Sequence, residues 1–155
     1  MSTYCRRSLT LGADGADAAM SPIPRLVDSA DTALAVITTA IHRPQRPEVI
    51  ALILDADYAG HTAVVVDETE SPDAVIEVVE LLAESAAEAD RPSCFVLASV
   101  RPDYGPLPGD ADRWLEISEL AESRGCEVVE WFVISGDVAW CPRDLLAEPP
   151  RWPAW

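Results

Sequence analysis

Few side chains in this sequence combine reactive type with suggestive spacing, and most of them fall between positions 99 and 112. Ser99 offers a hydroxyl, but no histidine stands near it in sequence, so a Ser-His-Asp arrangement has little support. Arg101 is a permanent cation with a planar fork of donors. An arginine at a strand end beside a helix N-terminus suits a carboxylate or phosphate, although Asp110 and Asp112 at that terminus oppose an anion. Asp112 falls in the first helical turn, where an acid is favoured by the helix dipole. Glu48 stands at the edge of an earlier strand. Cys5, Cys94, Cys126 and Cys141 show no C-x-x-C spacing, and His42 and His61 are the only histidines, so clustered zinc ligands are absent from the sequence itself. Cys94 and Cys126 lie in apolar runs and are expected to pack as small hydrophobes. His42 ends a helix, where a cation suits the dipole; His61 follows a turn glycine and is expected to be exposed.

The elements that must position these groups are legible around the same stretch. Leu97-Ala98-Ser99-Val100 reads as the end of a buried strand. Three prolines and two glycines occupy the eight residues from Pro102 to Gly109. Pro102 holds Arg101 extended, and Asp110 is a candidate N-cap for the next helix. A strand end, a stiff loop and a helix start is where α/β proteins place their sites.

Residues 1–27 are rich in Ala, Gly, Ser and Asp without periodicity and are expected to form a flexible arm. A helix begins near Ser29, with Ala33, Leu34, Ile37 and Ile41 on one face, and Pro44 and Pro47 stop it. Val49–Leu54 is a continuous apolar run suited to a strand buried on both faces. A short turn then leads to a strand over 62–66, so the two are expected to pair as an antiparallel hairpin. Ser71-Pro72 signals a helix start; that helix runs to about Ala89, with Glu77, Glu80, Glu84 and Glu88 on its wet side. Strands follow over 94–100, 127–134 and 138–140, with a helix over 110–123 closed by Gly125 in the left-handed region. The tail over 142–155, rich in Pro and Trp, is expected to be extended, docking Trp152 and Trp155 on the domain or a partner. The central unit is therefore residues 28–141, an α/β fold with a mixed sheet and helices on both faces.

A chain of 155 residues, 49% hydrophobic, suits one domain with a sizeable core. Its 27 acidic against 11 basic residues give a net charge of -16, which repels phosphate backbones and anionic lipid. No nucleic-acid or membrane partner is expected, and the acidity is accounted for by solubility. No apolar run approaches the roughly 18 residues of a membrane span. Arg6-Arg7 is not followed by an apolar segment, so no secretory leader is expected. The cysteine usage fits a reduced cytoplasmic compartment.

The order of elements and the central stretch resemble the JAB/MPN metalloprotease-like fold, a cytidine-deaminase-like three-layer sandwich, in its bacterial RadC-like branch. That branch carries His-x-His-Pro at a strand end, a Pro/Gly loop, then Ser-x-x-Asp. The counterparts are Ser99-Val100-Arg101-Pro102 and Gly109-Asp110-Ala111-Asp112, at the same spacing. Pro102 and Asp112 match, and Pro106 and Pro108 match prolines common in that loop. A later Leu-Asp-His corresponds to Val129-Glu130-Trp131, so the resemblance covers about Pro47 to Val138. Both ligand histidines are replaced, by Ser99 and Arg101, and the motif serine by Gly109; Asp112 alone matches a metal ligand. Glu48 lies about one residue from the place of the family glutamate. The resemblance therefore implies a degenerate site without a cofactor, Arg101 paired with Asp112 and reaching Glu48, and a protein-interaction or scaffold role rather than cleavage. Two alternatives stand beside it. One is a zinc-dependent hydrolase with a rearranged ligand set of Asp112, Cys94, Glu48 and His61. The other is a small-anion binder using Arg101.

Overall fold

The structure, a computed structural model, describes residues 5–10, 26–91 and 93–153, without the side chains of residues 5–10, Gly60 and His61. The strands are β1 (Cys5–Thr10), β2 (Glu48–Leu54), β3 (Gly60–Asp67), β4 (Cys94–Val100), β5 (Glu127–Ser135) and β6 (Val138–Trp140). The helices are α1 (Ala30–Ala40), α2 (Ala74–Glu88) and α3 (Asp110–Glu122). A short 3-10 helix spans Pro142–Leu146. The strands form one mixed sheet in the order β1-β3-β2-β4-β5-β6. β2 runs antiparallel to both β3 and β4, while β4 and β5 are parallel.

Connection rules explain the layers. The links β3–α2–β4 and β4–α3–β5 both join parallel strands and step across the sheet in the same direction. The right-handed preference of such crossovers places both helices on one face. There Val75, Val78 and Val79 of α2 and Trp114 and Ile117 of α3 pack on Val49, Ala51, Phe95 and Leu97. α1 covers the other face, its Ala33, Val36 and Ile37 against Ile50, Leu52, Val96 and Ala98. Alternate residues of β2 and β4 thus enter opposite cores, and both strands are buried on both faces, as their unbroken apolar runs require. The fold is α/β with helices on both faces of a mixed sheet. No helix among the described residues is long and apolar enough to cross a membrane.

Several local expectations change. Cys5–Thr10 is not part of a loose arm but an edge strand paired antiparallel with β3; residues 11–25 lie outside the described residues. Ser29 caps α1 as its sequence suggests, its hydroxyl accepting the Thr32 amide at 3.2 Å. Ser71 does not cap α2. It accepts the Asp73 amide in a preceding turn, and Asp73 takes the N-cap position without a side-chain bond. Asp110 is not the N-cap of α3 either: Gly109, at φ +90°, holds that place, and Asp110 is the first helical residue. The tail is not extended throughout, because Pro142–Leu146 forms the 3-10 helix. Trp152 packs on the α1-side core, and Arg151 lies 4.3 Å from the Trp114 ring. Trp155 lies outside the described residues.

Candidate functional site

The carboxyl ends of β3, β4 and β5 and the start of β2 meet at one end of the sheet. Strand register puts Glu48 opposite both Asp67 of β3 and Val100 of β4. Residues facing each other across a ladder share a face, so Glu48 and Asp67 look toward the α1 side with Val100. Ser99 and the α2/α3 layer lie on the other side. Two polar clusters therefore sit back to back, separated by the sheet.

The first cluster is built on Arg101. This side chain is 5% exposed and leaves β4 beneath the Pro/Gly loop. Its two terminal nitrogens grip Asp110 in bidentate fashion, at 2.9 and 3.1 Å. It also donates to the Gly105 carbonyl at 3.2 Å and lies 5.8 Å from the Trp131 ring. Asp110, fully buried, accepts two further bonds, from Arg113 at 2.9 Å and from the Leu107 amide at 2.8 Å. Four donors thus meet the roughly four acceptor sites of a carboxylate. Burial pushes the Asp110 carboxyl up, but the Arg101 bond, the Leu107 amide, the Arg101 charge and Arg113 together outweigh it, and its pKa lies below the ordinary value. Arg113 reaches onward to Asp73 at 2.8 Å, tying α3 to the start of α2. Ser99 accepts the Trp131 indole N–H at 3.0 Å.

Arg101 is thus paired, but with Asp110 and not with Asp112. Asp112 is exposed on α3 and forms no ion pair among the described residues. The reason is the helix start. With Gly109 as N-cap, the first helical residue points under the loop and the third points outward. Arg101 does not reach Glu48 either, because the two occupy opposite faces. Gly109 packs near the Arg113 guanidinium, 3.4 Å from where a Cβ would lie. The space left at this end, between Pro47, Ser71, Ser99 and Tyr104, is about 20 Å³, enough for a single water.

The second cluster is built on Glu48, which is fully buried. It accepts the His42 backbone amide at 2.9 Å and the His42 Nδ1–H at 2.7 Å. Arg46 donates to His42 Nε2 at 2.7 Å, which fixes the imidazole as the neutral Nδ1–H tautomer. Arg46 also lies 3.3 Å from Asp67 Oδ1. His42 therefore does more than end α1. The ligand set of Asp112, Cys94, Glu48 and His61 is not assembled. Cys94 pairs with Leu54 at the far end of β4, six residues or roughly 20 Å along the strand from the level of Glu48. The side chain of His61 lies outside what the structure describes.

A fourth buried acid, Glu130, is held bidentately by Arg143 of the 3-10 helix, at 2.9 Å for each contact. Those bonds foremost push the Arg143 guanidinium pKa up. Beside it, burial foremost and then Glu130 push the Cys141 thiol up to about 12, and burial foremost raises Cys94 to about 11. Neither thiol has the depressed pKa of a nucleophile.

Sequence reasoning missed Asp110, His42, Asp67 and Arg143 as partners. The only available signal was that acids placed in buried strands, such as Glu48 and Glu130, each need a compensating donor. The chemistry here is that of a three-layer α/β protein whose acids Glu48 and Asp110 find their hydrogen-bond partners within the chain. No protein-family model, no curated protein and no solved structure matches the chain.

Proposed function

We propose that this chain is a catalytically inactive, RadC-like JAB/MPN module that acts by binding a protein partner in the cytoplasm. The element order from α1 to β6 and the position of the Pro/Gly loop after β4 support the resemblance. The observation that carries the reading is the Arg101–Asp110 pair. A buried guanidinium stands where the resembled branch would aim a ligand histidine, and its main partner is an internal carboxylate. A permanent cation there opposes a metal ion, and a cleft of about 20 Å³ excludes a peptide. The small-anion alternative loses support for the same reason: Arg101 is sealed and committed to Asp110. With little room beside Arg101, binding falls to the surface. Val138 and Trp140 on β6, at the open edge of the sheet, and Leu145 and Leu146 beside it are exposed. Exposed apolar groups on a sheet edge favour pairing with another chain.

Hydrolysis assays on peptide and isopeptide substrates with zinc supplied test this reading. No turnover is expected. Zinc-dependent turnover abolished by Asp112→Ala or Glu48→Gln would overturn it.

A further inference from the structure

We propose that His42, Glu48 and Asp67 form a binding site for a divalent first-row metal ion of the zinc type, and that Arg46 is its built-in competitor. This cluster lies on the α1 side, separate from Arg101, and the proposal does not depend on the function proposed above.

The geometry begins with strand register. Glu48 and Asp67 are directly opposed on β2 and β3, and are 0% and 4% exposed. Like charges in that relation destabilise a sheet, so a cation shared between them is favoured. The chain leaving α1 adds an imidazole. His42 Nδ1 lies 2.7 Å from Glu48 Oε1 and 4.0 Å from Asp67 Oδ1. One ligand atom from each residue falls within 4.8 Å of the others. Zinc held at about 2.0–2.2 Å by imidazole and carboxylates wants its ligands about 3.5 Å apart. The separations of 2.7 and 4.0 Å bracket that value and the three atoms lie within 4.8 Å of one another, so shifts of about 1 Å close the site. One nitrogen and two carboxylate oxygens make a donor set suited to zinc and its neighbours. Access comes from the histidine side, where His42 is 23% exposed and Arg46 49% exposed.

Arg46 now holds the position of the cation. One guanidinium nitrogen meets the cluster, 2.7 Å from His42 Nε2 and 3.3 Å from Asp67 Oδ1. The other two buried acids differ: Asp110 and Glu130 are each closed by a buried arginine in bidentate contact. Metal binding at Nδ1 requires the imidazole proton to move to Nε2. The proton count is unchanged, but Nε2 turns from acceptor to donor and no longer receives Arg46. The guanidinium is displaced from both contacts at once and, being half in solvent, has somewhere to go.

Zinc titration of the full chain by calorimetry tests this, with cobalt absorption as a reporter of ligand type. Wild type is expected to bind one ion. Arg46→Ala is expected to bind at least tenfold tighter, and His42→Ala at least tenfold weaker, without the cobalt–thiolate bands that a cysteine site would give. Binding in Arg46→Ala alone also supports the site, with the guanidinium as the dominant competitor. Equal affinities in all three chains, thiolate bands, or no binding by either wild type or Arg46→Ala at millimolar zinc would overturn it. Should His42→Ala fail to fold, the half-exposed Arg46→Ala still decides the question.

Discussion

Removing either partner of the Arg101–Asp110 pair should cost far more than either exposed charge nearby. Asp110→Ala strands a guanidinium that is 5% exposed, leaving it the Gly105 carbonyl and the Trp131 face. That is the uncompensated buried charge expected to cost about 3–5 kcal/mol. Arg101→Ala is milder, because Asp110 keeps Arg113 and the Leu107 amide; about 2–3 kcal/mol is expected for a charged group left partly satisfied. In the double variant no charge is stranded, so its cost should fall short of the sum of the two single losses by a coupling of roughly 2–3 kcal/mol. Urea melts of the four chains measure this. At roughly 2–4 °C per kcal/mol for a domain of this size, each single variant also loses several degrees in thermal melts. Asp112→Ala, exposed and unpaired, should stay within about 0.5 kcal/mol of wild type. Losses additive to within about 0.5 kcal/mol would refute the pairing, and so would a large effect at Asp112.

Acid stability should report the same carboxylate. Its folded pKa is depressed below the ordinary 3.8, so its contribution is fully present above that value and is lost as pH falls through the folded pKa; Asp110→Asn should flatten this limb of the stability profile and leave the slope above pH 5 unchanged. In a Cys5→Ser background the native protein should resist thiol reagents at pH 8, since Cys94 and Cys141 titrate near 11 and 12 and Cys126 is buried; rapid labelling without unfolding would contradict this. Arg143→Ala leaves Glu130 buried without its bidentate partner and should cost about 3–5 kcal/mol, read by urea melts, whereas Arg143→Ala with Glu130→Gln should recover part of the loss.

Much of the fold was legible because the signals were redundant. The run Val49–Leu54 and the stretch Cys94–Val100 suited two-sided strands, and Ser29 and Gly125 marked helix ends by chemistry that the structure keeps. β1 was not legible, since Cys5–Thr10 has no apolar alternation and owes its strand character to pairing with β3. The site was half legible. The loop placed Arg101 at the strand end and an acid beside it, but choosing Asp110 over Asp112 depends on where α3 starts. That start is set by Gly109 at φ +90°, which allows the chain to enter the helix one residue earlier than an Asp110 cap would. His42 and Asp67 could not be joined to Glu48 from spacing, because that contact arises from sheet register and from the exit of α1.

Zinc stoichiometry in the His42→Ala chain, measured by native mass spectrometry under zinc excess, tests whether an internal ion pair closes the Arg101 strand end. The substitution weakens the α1-side cluster and leaves the Arg101–Asp110 end of β4 intact, so only zinc that depends on Asp110 or Asp112 bears on that end. A site closed by an internal ion pair should hold no zinc, and Asp110→Asn or Asp112→Asn should change nothing in the spectrum. One tightly held zinc per chain, lost on either aspartate substitution, would make this strand end a metal centre instead.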